Sequence, residues 1–330
     1  MAEYLTNTND LTLVADAIRT KGGTTELLTY PDEFVIAIHA IQTGPELQII
    51  VTVTSGATVT ATKGSLSVSG TSVNGTCTLI VPEAGMWNVS ATLNGQTSNT
   101  QSVSVKDSYA VALNFAKDKF ADNDWTSIIA ACHSGSVPST WVVGNSKTMT
   151  INGASYQVDI IGKNHDTYTA GGKAPLTFQM HNCYAVTRAM NSSNTNSGGW
   201  KNSAMRTTHL PAILALMPTE VQNGIREVSK KASVGGASST IETVSDKLFL
   251  LSEVEIFGST TYSAAGEGTQ YDYYKAGNSK VKKRNGSAAP WRERSPYASD
   301  YSSFCVVSTN GGASYRTAGT ALGVAFGFCF

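Results

Sequence analysis

The hydrophobic period changes at Gly44-Pro45, and that change divides the chain before any other feature is weighed. Upstream, apolar residues recur at helical spacing. Asn9 or Asp10 can cap a first helix whose stripe is Leu11, Leu13, Val14, Ala17 and Ile18, and Gly22-Gly23 ends it. Pro31 suits the first turn of a second helix, with Asp32 and Glu33 at its positive end. Phe34, Val35, Ile38 and Ile41 form its stripe. Helices this short are marginal alone, so residues 1–44 are expected to dock or to oligomerise. Downstream the period is two. Leu47–Val53, Thr58–Ala61, Cys77–Val81, Trp87–Leu93 and Gln101–Val105 alternate between Gly, Asn and Pro turns. Residues 45–114 therefore read as a small β-sandwich, a spacer without a catalytic constellation.

Residues 115–330 mix both periods and form the largest domain. Thr148–Gly153 and Tyr156–Ile161 read as strands; Leu210–Met217 reads as a helix broken at Pro218 and followed by Val221–Ile225. Lys247–Leu251 is apolar enough for a short buried strand. Phe304–Val307 and Gly323–Phe328 read as two core strands separated by a Ser/Thr/Gly-rich hairpin. The fold class is thus multidomain, all-β and α+β, behind a short helical segment. Trp200, Met205 and Phe249 are core candidates.

Only 15% of the 330 residues are charged and the net charge is zero, so no global field draws nucleic acid or an anionic membrane. The basic run Lys280–Arg284 sits among Gly, Asn and Ser and reads as a solvated loop. No stretch nears the ~20 apolar residues of a membrane span, and MAEYLTNTND lacks the pattern of a signal peptide. Cys77, Cys132, Cys183, Cys305 and Cys329 form no CxxC pair, and an odd count fits buried free thiols.

In residues 115–330 several pieces follow in order: Gly199-Trp200-Lys201-Asn202-Ser203-Ala204-Met205-Arg206, Leu210-Pro211, Lys247–Ile256, Glu267-Gly268-x-Gln270-Tyr271-x-Tyr273-Tyr274, Trp291-x-x-Arg294-Ser295-Pro296 and Gly323-Val324-x-x-x-Phe328. This series resembles a family of phage and bacterial domains with a C-type-lectin-like fold. The family commonly reads Trp-Trp-Leu-Arg-Ser-Pro at the fifth of these; here Arg292 and Glu293 replace Trp and Leu, and Ala325 stands where Arg is common. Residues 1–44 resemble the opening of tail and baseplate proteins from phages of Gram-positive bacteria. Pro82-Glu83-Ala84-Gly85 before Trp87-x-Val89 resembles a hairpin of bacterial immunoglobulin-like modules, which implies an immunoglobulin-like sandwich over residues 45–114. The lectin-like resemblance implies binding rather than catalysis, through an exposed face that diversity-generating retroelements rewrite in some members.

The residues point to the same region independently. Tyr297–Ser303 and Ala313–Thr320 are rich in Tyr and Ser, the residue types of antibody paratopes. The expected ligand face is Arg292, Tyr297, Asp300, Tyr301, Ser303, Asn310, Tyr315, Arg316, Thr317 and Thr320. Trp291, Arg294 and Pro296 are expected to support it, with Arg294 paired to Glu253 or Glu255.

Enzyme chemistry is not indicated. His133, His165, His181 and His209 are scattered without a Gly-x-Ser-x-Gly elbow or a His-Glu-x-x-His pair. No cofactor is expected. Calcium is compatible with some lectin folds, but the Glu-Pro-Asn and Trp-Asn-Asp sugar-binding signatures are absent. Formylglycine-generating enzymes share a related core and use paired cysteines; Cys305 and Cys329 are the candidates here, and a disulfide between them is conceivable. The expected protein is a homotrimeric receptor-binding protein at a virion tail tip, holding a host-surface protein or glycan and other tail or baseplate proteins. A structural baseplate or tail-fibre subunit and a bacterial surface adhesin are the alternatives.

Overall fold

A computed structural model describes residues 8–22, 33, 37 and 46–330. The chain divides into two compact units, Met1–Ala91 with Gln101–Leu113, and Thr92–Thr100 with Asn114–Phe330. Strands outnumber helices in both. Among the described residues no helix is long and apolar enough to cross a membrane.

In the first unit, helix α1 (Thr8–Gly22) starts before Asn9 and Asp10, so neither of the expected residues caps it. Its buried side is Ala15 and Ile18, while Leu13, Val14 and Ala17 are exposed, so Ile18 alone of the expected stripe is buried among the described side chains. The second helix read from Pro31 to Ile41 lies outside the described residues. Past residue 46 come β1 (Gln48–Thr52), β2 (Thr58–Lys63), β3 (Leu66–Thr71), β4 (Thr76–Ile80), β5 (Gly85–Leu93), β6 (Gln96–Thr97), β7 (Gln101–Val105) and β8 (Ser108–Ala112). One sheet has the order β4-β1-β8; the other runs β3-β2-β5, with β7 also on β5, while the end of β5 from Thr92 pairs with β6 inside the second unit. Alternation places Ile49, Val51, Val59, Ala61, Leu79, Trp87, Val89 and Val105 in the core. Each large one contributes about 1.5–3 kcal/mol by burial. β3 and β8 were not foreseen in the sequence. Both are edge strands with almost wholly exposed side chains, so no alternation marks them.

The second unit is built on a five-stranded sheet with the order β14-β20-β11-β10-β9. These are β9 (Ser146–Ile151), β10 (Ala154–Lys163), β11 (Leu176–Met180), β14 (Leu248–Phe249) and β20 (Gly327–Cys329). Two hairpins, β12 (Val228–Ser233) with β13 (Ile241–Asp246) and β15 (Lys282–Arg284) with β16 (Ser287–Ala289), accompany it. A second sheet joins β17 (Trp291–Pro296), β18 (Ser303–Val307) and β19 (Ala313–Thr317). The Ser/Thr-rich segment expected as hairpin exterior thus contains a strand.

All five residues of β11 are buried. Its polar members are satisfied: the Thr177 hydroxyl donates to Asp166 at 2.6 Å, and the Gln179 amide to the Ala325 carbonyl at 3.1 Å. Phe178 between them stacks on Phe328 at 5.2 Å and on Phe120 at 6.0 Å. Gly327 is required there, because a Cβ would stand 2.9 Å from the Phe249 ring and 3.0 Å from the Phe178 carbonyl. The helix Trp125–Ser134 closes this core; Asp124 caps it through the Ser127 amide, and Gly135 at φ 71° ends it. Trp200, Met205 and Phe249 are fully buried, as expected.

The basic run is not a solvated loop. Lys282 is buried on β15, and its ammonium donates to the carbonyls of Met180 at 2.5 Å and His181 at 3.1 Å. Burial lowers it to about 8, against the opposing charge of Asp159.

Candidate ligand-binding face

The three-stranded sheet is anchored by charge. Every residue of β17 is buried. Arg294 forks onto Glu255, Nη1 at 2.5 Å and Nη2 at 2.8 Å, and also donates to the carbonyls of Lys231, Leu250 and Glu267. Of the two partners expected for Arg294, Glu255 is the one used. Glu255 also receives Lys230 at 2.7 Å, and Lys230 reaches Asp166 at 2.8 Å and the Tyr271 hydroxyl at 3.0 Å. Burial pushes the Asp166 carboxyl up, but the Lys230 ammonium and the surrounding hydrogen bonds outweigh it and hold it at about 2. Glu255 is held down in the same way by Arg294 and then Lys230. Glu255 in addition closes a capping box with Ser252 on the helix Glu253–Phe257. One carboxylate therefore ties β12, β17 and that helix together.

Three polar side chains hold the loops at the rim. The carboxylate of Glu253 accepts from the amides of Tyr262 at 2.9 Å and Ser263 at 2.7 Å, while the Tyr262 carbonyl accepts from Ala298 at 2.8 Å. The Asn196 amide donates to the carbonyls of Asp300 and Ser303, each at 2.9 Å, and of Tyr297 at 3.3 Å. Its own oxygen accepts from Gly236. Gly235 makes that approach possible: it adopts φ 71°, and a Cβ there would lie 1.8 Å from the Asn196 carbonyl oxygen. Asp300 folds the turn from inside, accepting from the amides of Ser302 at 2.8 Å and Ser303 at 2.7 Å.

On this frame three tyrosines meet. Tyr297 stacks on Tyr315 at 4.3 Å between ring centroids, and Tyr262 packs edge-on against Tyr315 at 5.2 Å and Tyr297 at 5.7 Å. Tyr315 is exposed and the other two are half-buried. Sequence reasoning missed Tyr262, because it lies some fifty positions upstream of Tyr315 in an undistinguished Ser/Thr segment. Only the folded chain brings it across.

The expected face does not survive as one surface. Cross-strand register pairs Tyr315 with Cys305 and Arg316 with Phe304, so Tyr315 and Arg316 leave the sheet on opposite sides. Thr317 and Thr320 join hydroxyls at 2.8 Å at one end of the hairpin. Asn310 sits at the other end, roughly 13 Å away at 3.3 Å per residue. Tyr301 is 69% exposed on the Asn196 turn. Two residues are corrections. Ser303 is buried within β18. Arg292 is fully buried, donating to the carbonyls of Arg316 at 3.1 Å, Thr317 at 2.7 Å and Thr320 at 2.5 Å. It holds the hairpin end from beneath instead of meeting a ligand.

All five cysteines are free and buried. Cys305 lies in the three-stranded sheet; Cys329 lies in the other, 3.5 Å from the Thr177 hydroxyl. The disulfide conceived for them is not formed. Burial pushes both thiols well above the ordinary cysteine range, which suppresses the reactive thiolate. The histidines stand apart: His133 on the Gly224 carbonyl, His165 stacked on Tyr271, His181 on Asp159 at 2.7 Å. Among the described residues, no three His, Cys, Asp or Glu side chains converge as metal ligands.

Residues 177–328 match a family described as a domain of unknown function (DUF6273). The matched stretch carries β17, β18, β19 and all three clustered tyrosines. No curated protein matches the chain. Among solved structures, a DUF4876 family protein from Bacteroides thetaiotaomicron VPI-5482 is similar at 7% identity and a TM-score of 0.16. The similarity covers 47% of this chain and 38% of that one. The chain thus spans well under half of that protein, and a likeness so slight has no bearing on the fold.

Proposed function

We propose that this chain is a phage tail-associated receptor-binding protein that recognises a host-surface protein or glycan through the tyrosine face. On this reading the paired sheets of residues 46–113 are an immunoglobulin-like spacer, the larger unit is a C-type-lectin-like domain, and residues 1–44 dock or trimerise. The observation that carries the binding role is the cluster of Tyr262, Tyr297 and Tyr315 on a sheet whose opposite strand is locked by buried ion pairs. Rigid aromatic rings on a fixed frame offer a large contact area and little conformational entropy to lose. The loops and hairpin that carry the rings are held by the side chains of Asn196, Arg292 and Glu253, which grip backbone atoms.

The test is binding of the full chain to cells and purified envelopes of candidate hosts, comparing wild type with Tyr315→Ala and Tyr297→Ala. A central aromatic anchor is worth about 2 kcal/mol or more, so each variant is expected to bind some thirtyfold more weakly with an unchanged far-UV circular dichroism spectrum. Undiminished binding of both variants would remove the face from recognition and favour a structural tail subunit.

A further inference from the structure

We propose a second site, on the opposite side of the same sheet, where Arg316 binds an oxyanion above the buried guanidinium of Arg292. It is independent of the tyrosine face. The argument starts from unbalanced charge. Elsewhere in this unit the buried cations Arg294 and Lys230 each meet a carboxylate within 2.8 Å, and Lys282, held by two backbone carbonyls, has the opposing charge of Asp159 near it. Arg292 is as deeply buried, yet among the described residues no carboxylate lies within ion-pair distance of it or of Arg316. Three backbone carbonyls accept from Nη1 and Nη2 of Arg292, and its buried Nε has no hydrogen-bond partner at all. Carbonyl dipoles orient a guanidinium but do not cancel its charge.

Arg316 adds to the imbalance. Its backbone carbonyl is one of the three that Arg292 holds, so the two cations are joined through one residue. Burial draws the Arg292 guanidinium down to about 10, and the charge of Arg316 draws it in the same direction. The Arg316 side chain is exposed and lies along the edge strand, with Nη1 on the Tyr315 carbonyl at 2.7 Å and the Ser314 hydroxyl at 3.2 Å. Those bonds fix the plane of the guanidinium and leave Nε and Nη2 without acceptors among the described residues. A fixed planar fork with open donors is suited to a phosphate or carboxylate, which would accept from both and supply the missing negative charge. The ligand class is therefore an oxyanion, either a phosphate ester or an acidic sugar.

The test is calorimetric titration of the full chain with inorganic phosphate and, separately, with glucuronate, at matched ionic strength. Wild type, Arg316→Gln and Tyr315→Ala are compared. Saturable binding is expected in wild type and in Tyr315→Ala, weakened at least tenfold in Arg316→Gln and by added chloride. Saturation by phosphate alone assigns phosphate esters; saturation by glucuronate alone assigns acidic sugars. Absence of saturable binding by both anions, or equal affinity in Arg316→Gln, overturns the site. Because Tyr315→Ala is expected to retain anion binding, failure of the tyrosine face and failure of this site are read separately.

Discussion

Lys230 bridges Asp166 and Glu255 with less than a tenth of its surface exposed, and both carboxylates depend on it. Removing one partner from such a buried set leaves an uncompensated charge, at a cost of about 3–5 kcal/mol. Lys230→Met is accordingly expected to lower the urea midpoint of the larger unit by that equivalent. Glu255→Gln is expected to be comparably damaging, because Arg294 would lose its carboxylate. The sequence offered Glu253 and Glu255 alike as partners for Arg294, and it held no sign of Lys230 as a hub. Lys230 lies in a hydrophilic run, Ser229-Lys230-Lys231, where every ordinary reading places it in water. Its burial follows from the alternation of β12, whose pattern puts Val228, Lys230 and Ala232 inward together.

At the scale of elements, the turn between β17 and β18 owes its shape to one amide. Asn196 satisfies three carbonyls of that turn from a segment a hundred residues upstream. Asn196→Ala would leave those carbonyls without their donor, at roughly 1–3 kcal/mol for each buried group that water does not reach. The expected result is faster amide hydrogen exchange across residues 297–303, with β11 still protected. The same scale explains why the ligand face was half legible. Tyr/Ser composition marked the segments that carry two of the three clustered tyrosines, yet the period-two geometry of β19 sends Tyr315 one way and Arg316 the other. A segment assumed to be a loop has no faces, so the missed strand and the merged site are one error. Arg292 was misplaced for a related reason: a charged residue where the resembling family has Trp looked exposed, whereas the strand is covered on both sides.

For the molecule as a whole, buried carboxyls set the response to pH. Burial raises Glu267 from 4.5 to about 7, although the Ser295 hydroxyl and the Ser233 amide oppose it. Glu293 is raised much further by burial and then by Glu253 and Glu267, and neither of its oxygens has a hydrogen-bond partner. A carboxyl whose folded value lies above its unfolded one keeps its proton in the folded state, so stability falls as pH rises from about 4.5 through 7. Asp166 acts oppositely: held at about 2, it contributes stability above 3.8 that is lost as pH falls toward 2. Thermal midpoints are therefore expected to peak near pH 4.5–5 and decline toward pH 8. Glu267→Gln should flatten the decline between pH 4.5 and 7, and Glu293→Leu should raise the midpoint most at pH 8. By itself the sequence determined the β character of the chain and the core aromatics, because periodicity and turn residues report local geometry. The tertiary structure alone decided which polar residues are buried, which strands lie at edges and which tyrosines meet. Those outcomes depend on contacts between segments tens to hundreds of residues apart, which no local pattern encodes.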